Sequence, residues 1–70
     1  MEAPIRVVLN GAPRELPAAF TFTQLLEELQ LAGRRLAIER NGEIVPRSTF
    51  PEARLADGDR IEVVVAVGGG

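Results

Sequence analysis

The sequence contains no cysteine and no histidine, and these two absences exclude several kinds of site. Disulfide bonds cannot form, and the thiolate and imidazole ligands that zinc prefers are missing. A chain of 70 residues has room for one small core, and domains of this size often depend on such cross-links. Packing and backbone pairing must therefore stabilise this domain. The absence of cysteine also suits a reducing compartment, and we expect a cytoplasmic protein.

Lysine, tyrosine and tryptophan are absent as well, and the eight basic residues, all arginine, are outnumbered by ten acidic residues. A nucleic-acid-binding protein needs clustered cations, and aromatic platforms if it binds single strands. The longest apolar run, 63–67, is far shorter than the roughly 20 residues that span a bilayer. The first residues also lack the basic and apolar regions of a signal peptide. We therefore expect no nucleic-acid partner, no membrane partner and no bound metal or cofactor.

Two asparagine-glycine pairs divide the apolar segments into hairpins. Asn10-Gly11 and Asn41-Gly42 suit the two-residue turn in which both central residues have positive φ. Pro13 cannot donate to a strand ladder, so the second strand should lie at a sheet edge. The predicted strands are, in chain order, 5–9, 12–16, 36–40, 43–45 and 60–67.

One amphipathic helix is predicted between the two hairpins. Thr21 can cap its first turn, and Gln24 is spaced to bond back to the cap. An apolar stripe with helical spacing follows, formed by Phe22, Leu25, Leu26 and Leu29. Gly33 is placed to end this segment in a left-handed conformation, with Arg34 and Arg35 near the negative end of the helix dipole.

The last strand determines where the C-terminus emerges. A turn at Asp57-Gly58-Asp59 precedes it, and a loop at 46–54 directs Phe50 inward. Alternation predicts a core face of Ile61, Val63, Val65 and Val67 and an opposite face of Arg60, Glu62, Val64 and Ala66. Local hairpins leave the first and last strands to pair in parallel at the sheet centre. The expected fold is α+β, a β-grasp whose mixed sheet of four to five strands has one main helix across one face. Residues 1–67 should form this domain and 68–70 a flexible glycine tail.

Nearly the whole chain resembles a known family, the ubiquitin-like sulfur carrier proteins of thiamin biosynthesis (the ThiS family). The matching features are the Asn10-Gly11 turn, the helix entry at 21–29 and the hairpin 41–47. The most specific segment runs from Leu55 through the valine-rich strand to Gly68-Gly69-Gly70. The chain departs from the usual pattern at Ala12, where an acid is common, and at Phe50, where tryptophan is frequent.

The resemblance implies a function for the last glycine. An E1-like adenylating enzyme would use ATP to adenylate the Gly70 carboxylate, and a cysteine-derived persulfide, supplied indirectly by a cysteine desulfurase, would replace AMP by sulfur. The Gly70 thiocarboxylate would then donate its sulfur to thiazole synthase. The chain would be a protein co-substrate and would have no catalytic residues of its own. Gly68 and Gly69 would let the tail enter narrow channels in two enzymes, since glycine has no Cβ.

A docking surface for these partners is expected on the sheet face away from the helix. There Val64 and Ala66 would be exposed beside Arg60 and Glu62.

Three alternatives remain open. The chain could be the small subunit of a molybdopterin synthase, which also bears a thiocarboxylate. It could instead be a ubiquitin-like protein modifier that forms isopeptide bonds through Gly70, or a β-grasp binding domain that does not use a free glycine end. Removing Gly69 and Gly70 would leave such a binding domain intact and would abolish a carrier.

Overall fold

The computed structural model describes residues 2–66, which contain five strands, one α-helix and one short 3₁₀ helix. The elements are β1 (Ile5–Leu9), β2 (Ala12–Leu16), α1 (Phe22–Glu28), β3 (Leu36–Arg40), β4 (Glu43–Ile44), the 3₁₀ helix Arg47–Thr49 and β5 (Arg60–Val65). The sheet order is β2-β1-β5-β3-β4. The β1 and β5 pair is parallel, and the other neighbouring strands are antiparallel. This topology confirms the predicted α+β fold with β5 at the centre.

The core lies between α1 and one face of the sheet. Its largest fully buried side chains are Val7, Phe22, Leu25, Ile38 and Ile61. Phe50 is also buried, as predicted, with its ring centroid 6.1 Å from that of Phe22. Within residues 2–66, no helix has the length and apolar content needed to cross a membrane.

Both hairpin turns have the backbone that their asparagine-glycine pairs predict. Asn10 and Gly11 have φ of +49° and +84°, and Asn41 and Gly42 have φ of +51° and +88°. Pro13 lies on β2, which is an edge strand as expected.

The start of α1 also follows the prediction. The Gln24 amide donates to the Thr21 hydroxyl at 3.1 Å, and the Thr21 amide donates to the Gln24 side-chain oxygen at 2.8 Å. These two bonds form a capping box, which satisfies amide groups that have no partner inside the helix.

Gly33 has the predicted left-handed conformation, with φ of +82°, but the prediction that it ends the helix is wrong. Helix α1 ends at Glu28, several residues before Gly33, and Gln30 takes the left-handed conformation with φ of +60°. The Leu31 amide donates back to the Leu26 carbonyl at 2.8 Å, and both side chains pack in the core. This arrangement is a Schellman ending, in which the apolar contact compensates for the strain at a residue other than glycine. The helix therefore ends where the chain turns back and the partly buried Leu31 packs against the core.

Arg34 and Arg35 consequently do not lie in the last turn of α1, which contains no basic residue. Instead, the Arg34 carbonyl accepts a hydrogen bond of 3.0 Å from the Arg47 guanidinium. The Arg35 carbonyl accepts one of 2.9 Å from the Ala66 amide, just beyond the end of β5. The segment thus supports the C-terminal strand.

Strands β4 and β5 are shorter than predicted. Strand β4 ends at Ile44, although the Val45 amide still donates to the Ile38 carbonyl at 2.9 Å. Strand β5 ends at Val65, and Val67 lies outside the described residues. The division into a domain of residues 1–67 and a tail of 68–70 stays a prediction.

Candidate functional site

The predicted reacting group is the Gly70 carboxylate, reached through Gly68 and Gly69. These residues lie outside the described range of 2–66, so their roles stay predictions. The structure does describe β5, the strand that leads to them, and this strand is paired on both sides.

Asn10 extends the pairing of β5 on the side of β1. The backbone register of the two strands covers Val8 with Arg60 and Leu9 with Ile61. Beyond it, the Asn10 amide donates to the Ile61 carbonyl at 2.9 Å. The Asn10 side-chain oxygen accepts from the Val63 amide at 2.8 Å, and its side-chain nitrogen donates to the Val63 carbonyl at 3.4 Å. The Asn10 carboxamide therefore bonds to Val63 as a backbone peptide group of β1 would, at the point where β1 has ended.

Asn41 holds the other side of β5 at its start. The Arg60 amide donates to the Asn41 side-chain oxygen at 2.8 Å, and the Asn41 amide donates to the Arg60 carbonyl at 2.8 Å. Sequence reasoning assigned Asn10 and Asn41 to turns alone and missed these contacts. The residue type could have indicated these contacts, because the asparagine side chain carries both a hydrogen-bond donor and an acceptor.

Asp59 is a buried charged residue just before β5, with 8% of its surface exposed. Its carboxylate accepts hydrogen bonds from the Ala56 amide at 2.8 Å, from Arg40 Nε at 2.9 Å and from the Asn41 side chain at 3.2 Å. Burial raises the pKa of Asp59, but these hydrogen bonds and the positive charge of Arg40 outweigh it and hold the pKa below its usual value. The Arg40 guanidinium also lies 5.2 Å from the Phe22 ring centroid. Through Arg40, Asp59 thus links the start of β5 to the core residue Phe22.

Three of the four predicted docking residues lie on one exposed face of β5, and the fourth, Ala66, lies just beyond the end of that strand. Arg60, Glu62, Val64 and Ala66 are all exposed, whereas the intervening Ile61 and Val63 are buried. The alternation is therefore confirmed for residues 60–66, where Val65 is partly buried, and the exposed residues form part of the sheet face away from α1. Their role in docking stays a prediction.

Comparison with known proteins decides the family. The model of the ThiS family matches residues 7–70 of this chain. The chain belongs to the ThiS family. Its curated relatives include the sulfur carrier protein ThiS of Thermus thermophilus, which is 38% identical over 64 residues, covering 91% of this chain and 98% of the relative.

A solved ThiS structure confirms the fold. The crystal structure of the thiamine biosynthesis protein ThiS from Geobacter metallireducens superimposes with a TM-score of 0.77 at 32% sequence identity. The match covers 94% of this chain and 100% of that one. The resemblance to ThiS proteins is thereby confirmed at the levels of both sequence and structure.

Longer proteins also contain a ThiS-like segment. A thiazole synthase of Paramagnetospirillum magneticum is 42% identical over 66 residues, which make up 94% of this chain but 20% of that protein. A second thiazole synthase, from Magnetococcus marinus, matches over the same share of its length. The chain therefore spans about a fifth of these two relatives.

The sheet face of this ThiS-family chain is more apolar than β5 alone indicates. Within residues 2–66, the exposed large apolar side chains are Val8 at 37%, Ile44 at 62% and Val64 at 59%. All three lie on the face away from α1, because Val8 is the register partner of Arg60 and Ile44 that of Glu39. Sequence reasoning missed Val8, which alternation along β1 could have identified. It also missed Ile44, whose side depends on its pairing with β3.

Proposed function

We propose that this chain is a sulfur carrier in thiamin biosynthesis and that its working group is the Gly70 carboxylate. The observation that carries the proposal is the ThiS family match, which extends through residue 70. The relative from Thermus thermophilus, matched over almost its full length, is itself named a sulfur carrier protein.

The first step activates the carboxylate. A terminal carboxyl has a pKa of about 3.3 to 3.7, so Gly70 ends in an anion at neutral pH. This anion is a poor acyl donor, and an E1-like adenylating enzyme is needed to join it to the α-phosphorus of ATP with release of pyrophosphate. The chain contributes the carboxylate and the enzyme contributes the catalysis. In this proposal the chain is a protein co-substrate and binds no cofactor itself.

The second step introduces sulfur. The terminal sulfur of a cysteine-derived persulfide, generated by a cysteine desulfurase, attacks the acyl carbon and displaces AMP. This attack leaves Gly70 joined to the donor cysteine through an acyl disulfide. A second thiol then attacks the sulfur of the donor cysteine, so that these two sulfurs form a disulfide and the thiocarboxylate is released on Gly70.

The recipient in this proposal is thiazole synthase. In two relatives a ThiS-like segment belongs to a chain named thiazole synthase, which favours this recipient over a molybdopterin synthase. We also propose that the exchange takes place in the cytoplasm, where thiols stay reduced.

In this proposal, docking of the folded domain compensates for the cost of holding the glycine tail in one conformation in the partner enzyme. Fixing the backbone of each tail residue costs on the order of 1 to 2 kcal/mol. The exposed face that contains Arg60, Glu62, Val64 and Ala66 supplies apolar area for this purpose, and Val8 and Ile44 enlarge it. We therefore propose this sheet face as the surface that the partner enzymes bind.

An intact-mass measurement tests the proposal. The chain is incubated with ATP, a matched adenylating enzyme and a cysteine desulfurase with cysteine, and we expect one C-terminal oxygen to be replaced by sulfur. A variant lacking Gly69 and Gly70 is the control and should gain no sulfur. The proposal would be refuted if the mass of the natural chain did not change although the adenylating enzyme was shown to load its own carrier protein.

A second stage separates the recipients. Thiazole synthase or the large subunit of a molybdopterin synthase is added to the thiocarboxylated chain, and loss of the sulfur is followed by mass. Discharge by thiazole synthase alone supports the proposal. Discharge only by the molybdopterin enzyme, or attachment of the chain to other proteins, would assign it to one of the alternative functions.

A further inference from the structure

Glu39 and Glu62 form a pair of like charges in the middle of the exposed sheet face. They are register partners on β3 and β5, which places their Cβ atoms about 5 Å apart. Within residues 2–66, neither carboxylate forms an ion pair. Arg60 lines the same shallow depression as the two glutamates, but in the described part of the chain it forms no ion pair with either of them. Like charges directly opposite each other destabilise an antiparallel pair, so the fold retains an unfavourable contact here.

Apolar side chains flank this acidic pair. Glu39 is also the register partner of Ile44 on β4, and the next pair on the same face is Ala37 with Val64. A line from Ile44 to Val64 therefore passes beside Glu39. A partner surface that covers both exposed apolar side chains must cover the carboxylates as well.

Covering two carboxylates without compensation is strongly unfavourable, because each loses its hydration. A guanidinium relieves this penalty better than an ammonium, since its planar array of donors can bond to two carboxylates at once. Local rules are typically broken at functional sites, and an acidic pair in the centre of an apolar face breaks one.

We infer that the adenylating enzyme inserts an arginine side chain between Glu39 and Glu62 when it binds this face. The inference rests on the proposed function. It selects the adenylating enzyme because the proposed pathway begins when that enzyme finds the free carrier by diffusion, and charge complementarity accelerates association and rejects wrong partners.

Titration calorimetry of the full chain with its adenylating enzyme tests the inference. Glu39→Gln and Glu62→Gln keep the shape of each side chain and remove its charge. We expect each to weaken binding roughly tenfold, because the enzyme's arginine loses one of its two carboxylate partners. The double variant leaves the arginine with neither and should weaken binding further. The salt dependence of the dissociation constant should also become shallower. Glu27→Gln, on an exposed position of α1, is the matched control and should leave both quantities unchanged.

Loading kinetics distinguish docking from a defect in the reaction. The two glutamine variants should raise the KM for the carrier and leave kcat unchanged. Their unfolding midpoints should match or exceed that of the natural chain because a repulsion is removed, so misfolding cannot imitate the result.

Equal or tighter binding of the double glutamine variant would overturn the inference, as would weaker binding to thiazole synthase alone. Failure of the proposed function has a different signature. In that case the natural chain gains no sulfur in the mass assay, whereas the affinity ratio between the natural and glutamine chains still reports on the arginine contact.

Discussion

The Asn10 side chain bonds to both backbone groups of Val63, accepting from its amide at 2.8 Å and donating to its carbonyl at 3.4 Å. A turn residue of the first hairpin thereby holds the middle of β5, 53 positions further along the chain. The strand that leads to the tail is thus secured by a side chain where a backbone neighbour is lacking.

Asn10→Gly tests this contact, because glycine keeps the positive φ of the turn and removes only the carboxamide. We expect a loss of about 1 to 2 kcal/mol in the free energy of unfolding, from two hydrogen bonds of which one is long. Amide hydrogen exchange should show reduced protection at Val63. Asn41→Gly is the matched control and should affect the Arg60 amide instead. Unchanged protection of Val63 in Asn10→Gly would contradict the assignment.

Gln30→Gly should stabilise the protein, since Gln30 has a left-handed backbone with φ of +60°. The left-handed conformation costs roughly 1 to 2 kcal/mol for a residue with a Cβ, and glycine avoids this at a smaller entropic cost. We expect a net gain of about 0.5 to 1 kcal/mol in urea unfolding.

Gly33→Ala is the matched substitution and should change the free energy of unfolding in the opposite direction. Gly33 has φ of +82°, and a Cβ added there would meet no atom within 4 Å, so only backbone strain opposes the substitution. We expect a loss of about 1 kcal/mol. If both variants shifted stability in the same direction, backbone strain would not be the cause.

Asp59 should make stability sensitive to acid. Because its pKa is lowered in the folded state, its contribution is complete above the ordinary aspartate pKa of about 3.9 and is lost as the pH falls through the folded pKa. Asp59→Asn should flatten this part of the profile, measured as the urea midpoint from neutral pH to about pH 2. Glu52→Gln, an exposed carboxylate, is the control. An acid loss in Asp59→Asn as steep as that of the natural chain would contradict the prediction.

Val64→Thr combined with Ile44→Thr should separate docking from stability. Both side chains are more than half exposed, so the free energy of unfolding should change by at most about 0.5 kcal/mol. Val64→Thr replaces one methyl group of the proposed interface by a hydroxyl, and Ile44→Thr replaces an ethyl group by a hydroxyl. Binding must then desolvate both hydroxyls. We therefore expect affinity for the adenylating enzyme to fall by about 1 to 2 kcal/mol in total, measured by calorimetry.

The control for this pair is Ala32→Ser, an exposed apolar residue on the loop after α1. It should change neither stability nor affinity. Full affinity of the threonine double variant would exclude Ile44 and Val64 from the interface.

The features that the sequence alone determined are those written into neighbouring residues. Asn10-Gly11 and Asn41-Gly42 specify their turns because few residues other than glycine and asparagine accept positive φ. Thr21 and Gln24 specify the helix start because a capping box needs only those two side chains. Alternation along 60–66 likewise identified the core and exposed faces of the last strand.

Tertiary structure decided what depends on partners distant in the chain. Helix α1 ends at Glu28 because the chain turns at Gln30 and brings the partly buried Leu31 against the core, so the left-handed Gly33 lies in the loop beyond the helix. The exposure of Ile44 and the opposition of Glu39 to Glu62 follow from strand register, which a single strand does not encode. The reach of Asn10 to Val63 exists only once β1 and β5 lie side by side.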